Sequence, residues 1–129
     1  MSTIVVIMRT RLLIVDDDDS IREIIKVMLK DYEIIEATNG YEAIRLYEKI
    51  RPNLVLMDVS MPQMDGVEAT KEIVNIDPKA IVIGLTAFAR SRGKDMLAAG
   101  AKEVVEKPFT RRRLKDIIER HLASAVASS

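Results

Sequence analysis

The chain contains no cysteine, which closes off disulfide frameworks and thiolate metal sites and suits a reducing cytosol. It also lacks an excess of either charge, with 20 Lys and Arg against 20 Asp and Glu. Nucleic acid and anionic membranes therefore find no electrostatic footprint on it. No apolar run approaches the roughly 20 residues needed to span a bilayer. The apolar segment 3–8 has neither the charged start nor the cleavage site of a secretory signal, so a cytoplasmic location is expected. Internal repeats, low-complexity tracts and interdomain linkers are missing too, and 129 residues suit one compact domain.

What is present is a globular mixture, 48% hydrophobic and 31% charged. Five short apolar runs rich in β-branched residues, at 11–15, 32–37, 54–57, 80–85 and 103–106, read as strands. Between them lie segments with helical spacing, such as Ile21, Ile24, Ile25, Met28 and Leu29, or Leu114, Ile117, Ile118 and Leu122. Ser20 with Glu23, Asn39 with Glu42 and Asp65 with Glu68 each set a capping side chain three residues before a glutamate, marking helix starts. The fourth helix, 91–99, contains Gly93 and is ended by Gly100. Strict alternation of strand and helix demands a parallel sheet. The fold expected is a five-stranded α/β sandwich, with the apolar first and third strands at its centre and the Glu-flanked fifth at an edge.

In open parallel sheets, ligands bind beyond the carboxyl ends of the strands. At those ends stand Asp16 and Asp17, Asp58, the Thr86-Ala87 pair, and Lys107 before Pro108. Carboxylates gathered on one rim repel one another unless a cation lies between them. Their hard oxygens suit Mg2+, which is commonly held by one or two carboxylates plus phosphate oxygens. Phosphoryl transfer rests on alignment and on neutralising oxygen charge. Mg2+, Lys107 and the Thr86 hydroxyl around an attacking Asp58 form a reasonable set for it.

The Asp16-Asp17 pair, the run from Asp58 through Ser60, Met61, Pro62 and Asp65 to Gly66, the Thr86-Ala87 pair and Lys107-Pro108-Phe109 together resemble the receiver domain of bacterial two-component response regulators. Each motif alone is short; the order and spacing of all four over 11–122 carry the resemblance. It implies a flavodoxin-like (βα)5 fold with strand order 2-1-3-4-5 and the stand-alone chemotaxis or phosphorelay type. It further implies a signalling switch that catalyses only its own phosphorylation and dephosphorylation. Asp58 would accept a phosphoryl group from a histidine kinase or phosphotransfer protein. Asp17 and Asp58 would bind Mg2+ directly, Asp16 through water, and the Ser60 carbonyl would be a further ligand. Thr86, Ala87 and Lys107 would hold the phosphoryl oxygens, and the Lys107-Pro108 bond would be cis. Output would pass through helix four, strand five and helix five to a downstream protein, the molecule being a monomer or weak dimer. Val104 departs from the family, which often has an aromatic switch residue there, so Thr86 and the loop after it would carry more of the signal. Ser60 and Phe88, two positions beyond Asp58 and Thr86, would set the lifetime of the phosphorylated state.

Other readings fit less of the chain. Asp16, Asp18 and Ser20 match the nucleophile loop of haloacid-dehalogenase-type phosphohydrolases, with Asp16 as nucleophile, but that leaves the Asp58 run unexplained. A calcium loop fails because Ile21 stands where an EF-hand needs glycine. Asp18 and Asp19 read as helix-start charge or cap. His121 reads as a favourable charge near a helix carboxyl end, the methionines as core filling, and Arg111, Arg112 and Arg113 as a solvated first turn. The expected divisions are an extension at 1–8, the receiver at 9–123 and a frayed tail at 124–129.

Overall fold

The computed structural model describes residues 10–87 and 89–127. The extension expected at 1–8 lies outside them, as does Phe88. Strands and helices alternate as β1 (Arg11–Val15), α1 (Asp19–Met28), β2 (Glu33–Ala37), α2 (Gly40–Ile50), β3 (Leu54–Asp58), α3 (Gly66–Ile76), β4 (Val82–Thr86), α4 (Ala89–Ala99), β5 (Glu103–Glu106) and α5 (Arg111–Ala127). All four strand pairings are parallel, in the order β2-β1-β3-β4-β5. This is the flavodoxin-like arrangement, with β2 and β5 at the edges.

Alternation along the strands divides the core in two. Leu13, Val15, Val55, Met57 and Val82 meet Ala43 and Tyr47 of α2, Ala69 and Ile73 of α3, and Met96 of α4. Leu12, Ile14, Leu54, Leu56, Ile83, Leu85 and Val105 meet Ile25 of α1 and Leu114, Ile117 and Ile118 of α5. Both faces of β1 and β3 are thus covered, as their continuous apolar sequences require.

Asn39 and Asp65 cap α2 and α3, each accepting from the N–H of the residue three further on. At α1 the cap is Asp18, which accepts from Ser20 and Ile21 N–H, so Ser20 is inside the helix rather than at its cap. Ile24 is a second difference. It shares the apolar spacing of α1 but is 51% exposed, and the buried positions are Arg22 and Ile25. Gly100, at φ 118, ends α4 in a conformation that side chains rarely adopt, with Val74 packed against it. The last helix continues to Ala127, so residues 124–127 are helical rather than a frayed end; alanine is the strongest helix former. Among the described residues no helix is long and apolar enough to cross a membrane.

Candidate functional site: an acidic cluster at the strand ends

Because every strand is parallel, the carboxyl ends of β1, β3, β4 and β5 share one rim. Asp16 extends β1 by one ladder bond, its N–H donating to Ala37 O at 3.1 Å. Its Oδ1 accepts from Asp18 N–H at 2.9 Å, which shapes the turn into α1. Asp58 is the last residue of β3 and Thr86 the last of β4. Lys107 leaves β5 with its N–H bonded to Thr86 O at 2.8 Å, and the Lys107-Pro108 bond is cis, as the resemblance implies.

These placements bring carboxylate oxygens of Asp16, Asp17 and Asp58 within 4.8 Å of one another. Lys107 Nζ donates to Asp58 Oδ1 at 3.0 Å and stands 3.5 Å from Asp16 Oδ2. Asp16 and Asp58 are buried, Asp17 exposed. Burial pushes the Asp58 carboxyl up from its ordinary value, and the charges of Asp16 and Asp17 push the same way, outweighing the opposing pull of Lys107. Burial draws Lys107 down, but its bond to Asp58 and the charges of Asp58 and Asp16 outweigh it, and the net direction is up. One ammonium serves two buried carboxylates, so it is held firmly while they remain undercompensated.

The Asp16 Oδ2 atom is buried without a hydrogen-bond partner. A buried charged oxygen left so is costly unless a cation completes it. An all-oxygen cluster of three carboxylates beside one ammonium, with one buried oxygen accepting no hydrogen bond, fits a hard divalent ion such as Mg2+.

The other expected site residues fall around this cluster. Thr86 is buried beside Lys107, while Ala87 and Ser60 are exposed on the loops that follow β4 and β3. Val104 lies opposite Gly84 on β5 and packs against the α2, α3 and α4 side of the core. Two residues, Arg22 and Arg92, were not singled out from sequence, and a third, His121, was given a different role. Arg22, buried in α1, donates through Nη1 to Asp16 O at 2.6 Å. Arg92 in α4 bonds Asp65 Oδ2 at 2.8 Å, tying the start of α4 to the cap of α3. His121 is not in a last turn; it lies six residues before the end of α5 and meets Glu103 Oε1 of β5 at 2.8 Å.

Residues 12–119 match the model of the response regulator receiver domain, and the chain belongs to that family. Chemotaxis protein CheY of Bacillus subtilis is 41% identical over 119 residues, which cover 89% of this chain and 99% of CheY. The CheY-like receiver of Methanospirillum hungatei superposes with a TM-score of 0.89 at 30% identity, over 94% of this chain and 99% of that one. TrrA of Thermotoga maritima, solved in complex with Mg2+ and BeF, gives a TM-score of 0.81 at 36% identity, over 87% and 98%. The protein is thus a CheY-like receiver of two-component signalling, a switch rather than a metabolic enzyme. The phosphohydrolase reading of Asp16, Asp18 and Ser20 falls with this, and Asp18 is engaged in capping α1.

Proposed function

We propose that the protein is a Mg2+-dependent phosphorylation switch whose phosphoacceptor is Asp58. The observation that supports this best is the convergence of Asp16, Asp17 and Asp58 beside a single ammonium, that of Lys107, with the buried Asp16 Oδ2 accepting no hydrogen bond. Asp17 and Asp58 would hold the ion directly, Asp16 through water, with the Ser60 carbonyl as a further ligand. When bound, the ion supplies positive charge to phosphoryl oxygens.

The free Oδ of Asp58 attacks phosphorus as the bond to the donor's imidazole nitrogen breaks, and the imidazole keeps the electron pair and takes up a proton. Burial with two like charges makes Asp58 reluctant to remain a bare carboxylate. Lys107 is already beside the attacking group and transfers its pairing to a phosphoryl oxygen. Thr86 and Ala87 take the remaining oxygens, and Thr86 moves toward them. A histidine kinase or phosphotransfer protein is the donor, and the cytoplasm the setting. The signal leaves through the α4, β5 and α5 face to a downstream protein. Val104 offers no aromatic swing, so the loop after Thr86 carries the change. Ser60 and Phe88 set how readily water reaches the acyl phosphate.

Incubation with Mg2+ and acetyl phosphate, followed by intact mass measurement, tests the reading. One added phosphoryl group is expected, absent in Asp58→Asn and absent without metal. An unchanged wild-type mass under saturating donor overturns it.

A further inference from the structure

Arg22 is a charged residue with 8% exposure in the first turn of α1, and each of its nitrogens is used. Nε donates to Glu36 Oε1 on β2 at 3.0 Å, Nη2 meets Asp19, and Nη1 donates to the backbone oxygen of Asp16 at 2.6 Å. Glu36 is held in turn by Lys26 at 3.1 Å, and Lys26 by Glu23 at 2.7 Å. The guanidinium is therefore fixed by two carboxylates and spends its remaining arm on a carbonyl.

That carbonyl is no ordinary one. The Asp16 C=O and the Asp17 N–H belong to one planar peptide, so holding the oxygen sets where the Asp17 Cα begins and where its carboxylate can reach. Asp16 itself is fixed by other bonds, through its N–H to Ala37 and its Oδ1 to the Asp18 N–H. Asp17 is exposed, and the peptide before it is what Arg22 grips. Glu36 and Asp19 balance the charge of Arg22, so it approaches the acidic cluster without adding an uncompensated positive charge there.

We infer that Arg22 is a positioning residue that presents Asp17 to the divalent ion by clamping the Asp16–Asp17 peptide from beneath. The inference rests on the metal site proposed above and adds a residue outside its ligand set. Partners that orient metal ligands matter on a known scale, their loss weakening binding by about 10- to 100-fold. A planar fork fastened at both edges does this where an ammonium on a flexible stem does not.

The sign of the effect separates positioning from electrostatics. If Arg22 acted only through its charge, Arg22→Met would tighten Mg2+ binding and Arg22→Lys would leave it unchanged. Positioning predicts weaker binding in both, by about tenfold. Mg2+ affinity is read by calorimetric titration of the full chain, with circular dichroism confirming that each variant is folded. Should Arg22→Met fail to fold, the charge-preserving Arg22→Lys decides. The metal-free protein supplies an independent readout, since Arg22→Lys should shift the Asp16 carbonyl carbon and Asp17 amide nitrogen resonances and speed exchange at the Asp17 and Asp18 amides. Unchanged affinity in Arg22→Lys, or unchanged backbone signals, overturns the inference while leaving the metal site intact. A wild-type chain that binds no Mg2+ overturns both.

Discussion

Gly66 sits directly against the backbone of Asp58, so closely that a methyl group on it would stand 2.2 Å from the Asp58 carbonyl oxygen. The first turn of α3 thus braces the end of β3, and the Gly66 N–H bonds Val59 O at 2.8 Å. A Cβ there forces strand and helix apart, and overpacking of this kind costs about 1–3 kcal/mol. Gly66→Ala should lose that much in urea denaturation. Because the displaced backbone carries Asp58, its labelling by acetyl phosphate should also slow, by an amount larger than the fraction unfolded accounts for.

Asp58 is held at a structural cost that the metal-free protein should reveal. Its carboxyl is raised, chiefly by burial, so its ionisation disfavours the folded state. Stability tied to this group is fully present below its unfolded value near 3.8 and is lost as pH rises through the higher folded value. Asp58→Asn should therefore be more stable than wild type at neutral pH in chelator. If the relief is on the order of 1 kcal/mol, Tm rises by roughly 4 °C. The advantage should vanish in thermal scans at pH 3; an equal gain there would assign it to another cause.

Mg2+ should reverse this ranking. An ion bound only by the folded chain stabilises it by about 2.7 kcal/mol at a hundredfold excess over Kd. Wild type should gain in Tm on adding Mg2+ and lose the gain on chelation. Asp58→Asn and Asp17→Asn, each short of one carboxylate, should respond much less at the same concentration.

Away from the rim, the buried Tyr47 hydroxyl donates to Asp77 Oδ2 at 2.7 Å and joins α2 to the end of α3. This bond is the main cause that lowers the Asp77 carboxyl, with Lys79 N–H and the charge of Arg51 adding to it against burial. The stability it gives is present above the unfolded value near 3.8 and is lost as pH falls through the lower folded value. Tyr47→Phe should cost about 1.5–3 kcal/mol at pH 7, as a hydrogen bond to a charged group does. The difference should narrow in denaturation curves taken below pH 3.

The parts of the molecule legible in sequence are those governed by short-range rules. Asn39 and Asp65 are read correctly because a cap joins a side chain to an N–H three residues on. The strand-end residues Asp16, Asp58, Thr86 and Lys107 are legible because parallel strands must end on one rim. Ser20 misleads as a cap because four successive aspartates offer competing starts, and the choice of Asp18 follows from Asp16 continuing the β1 ladder toward Ala37. Arg22 goes unmarked in the sequence because its partner Glu36 lies 14 positions away on another element. His121 reads as a helix-end charge only if α5 stops early, and its contact with Glu103 across 18 positions is invisible to periodicity.

The division of the core between alternate residues of each strand makes the rim a matter of odd and even. Asp16 follows Leu12 and Ile14, and Asp58 follows Leu54 and Leu56, so both carboxylates inherit the even-numbered set that faces α1 and α5. Removing one residue from the middle of β3 would turn its acidic end toward the opposite helices. Removing two would restore the side but draw Asp58 back by about 6.6 Å, since a parallel strand rises ~3.3 Å per residue. Substitutions can retune this switch by degrees, whereas length changes within β3 offer only whole steps, each of which dismantles it.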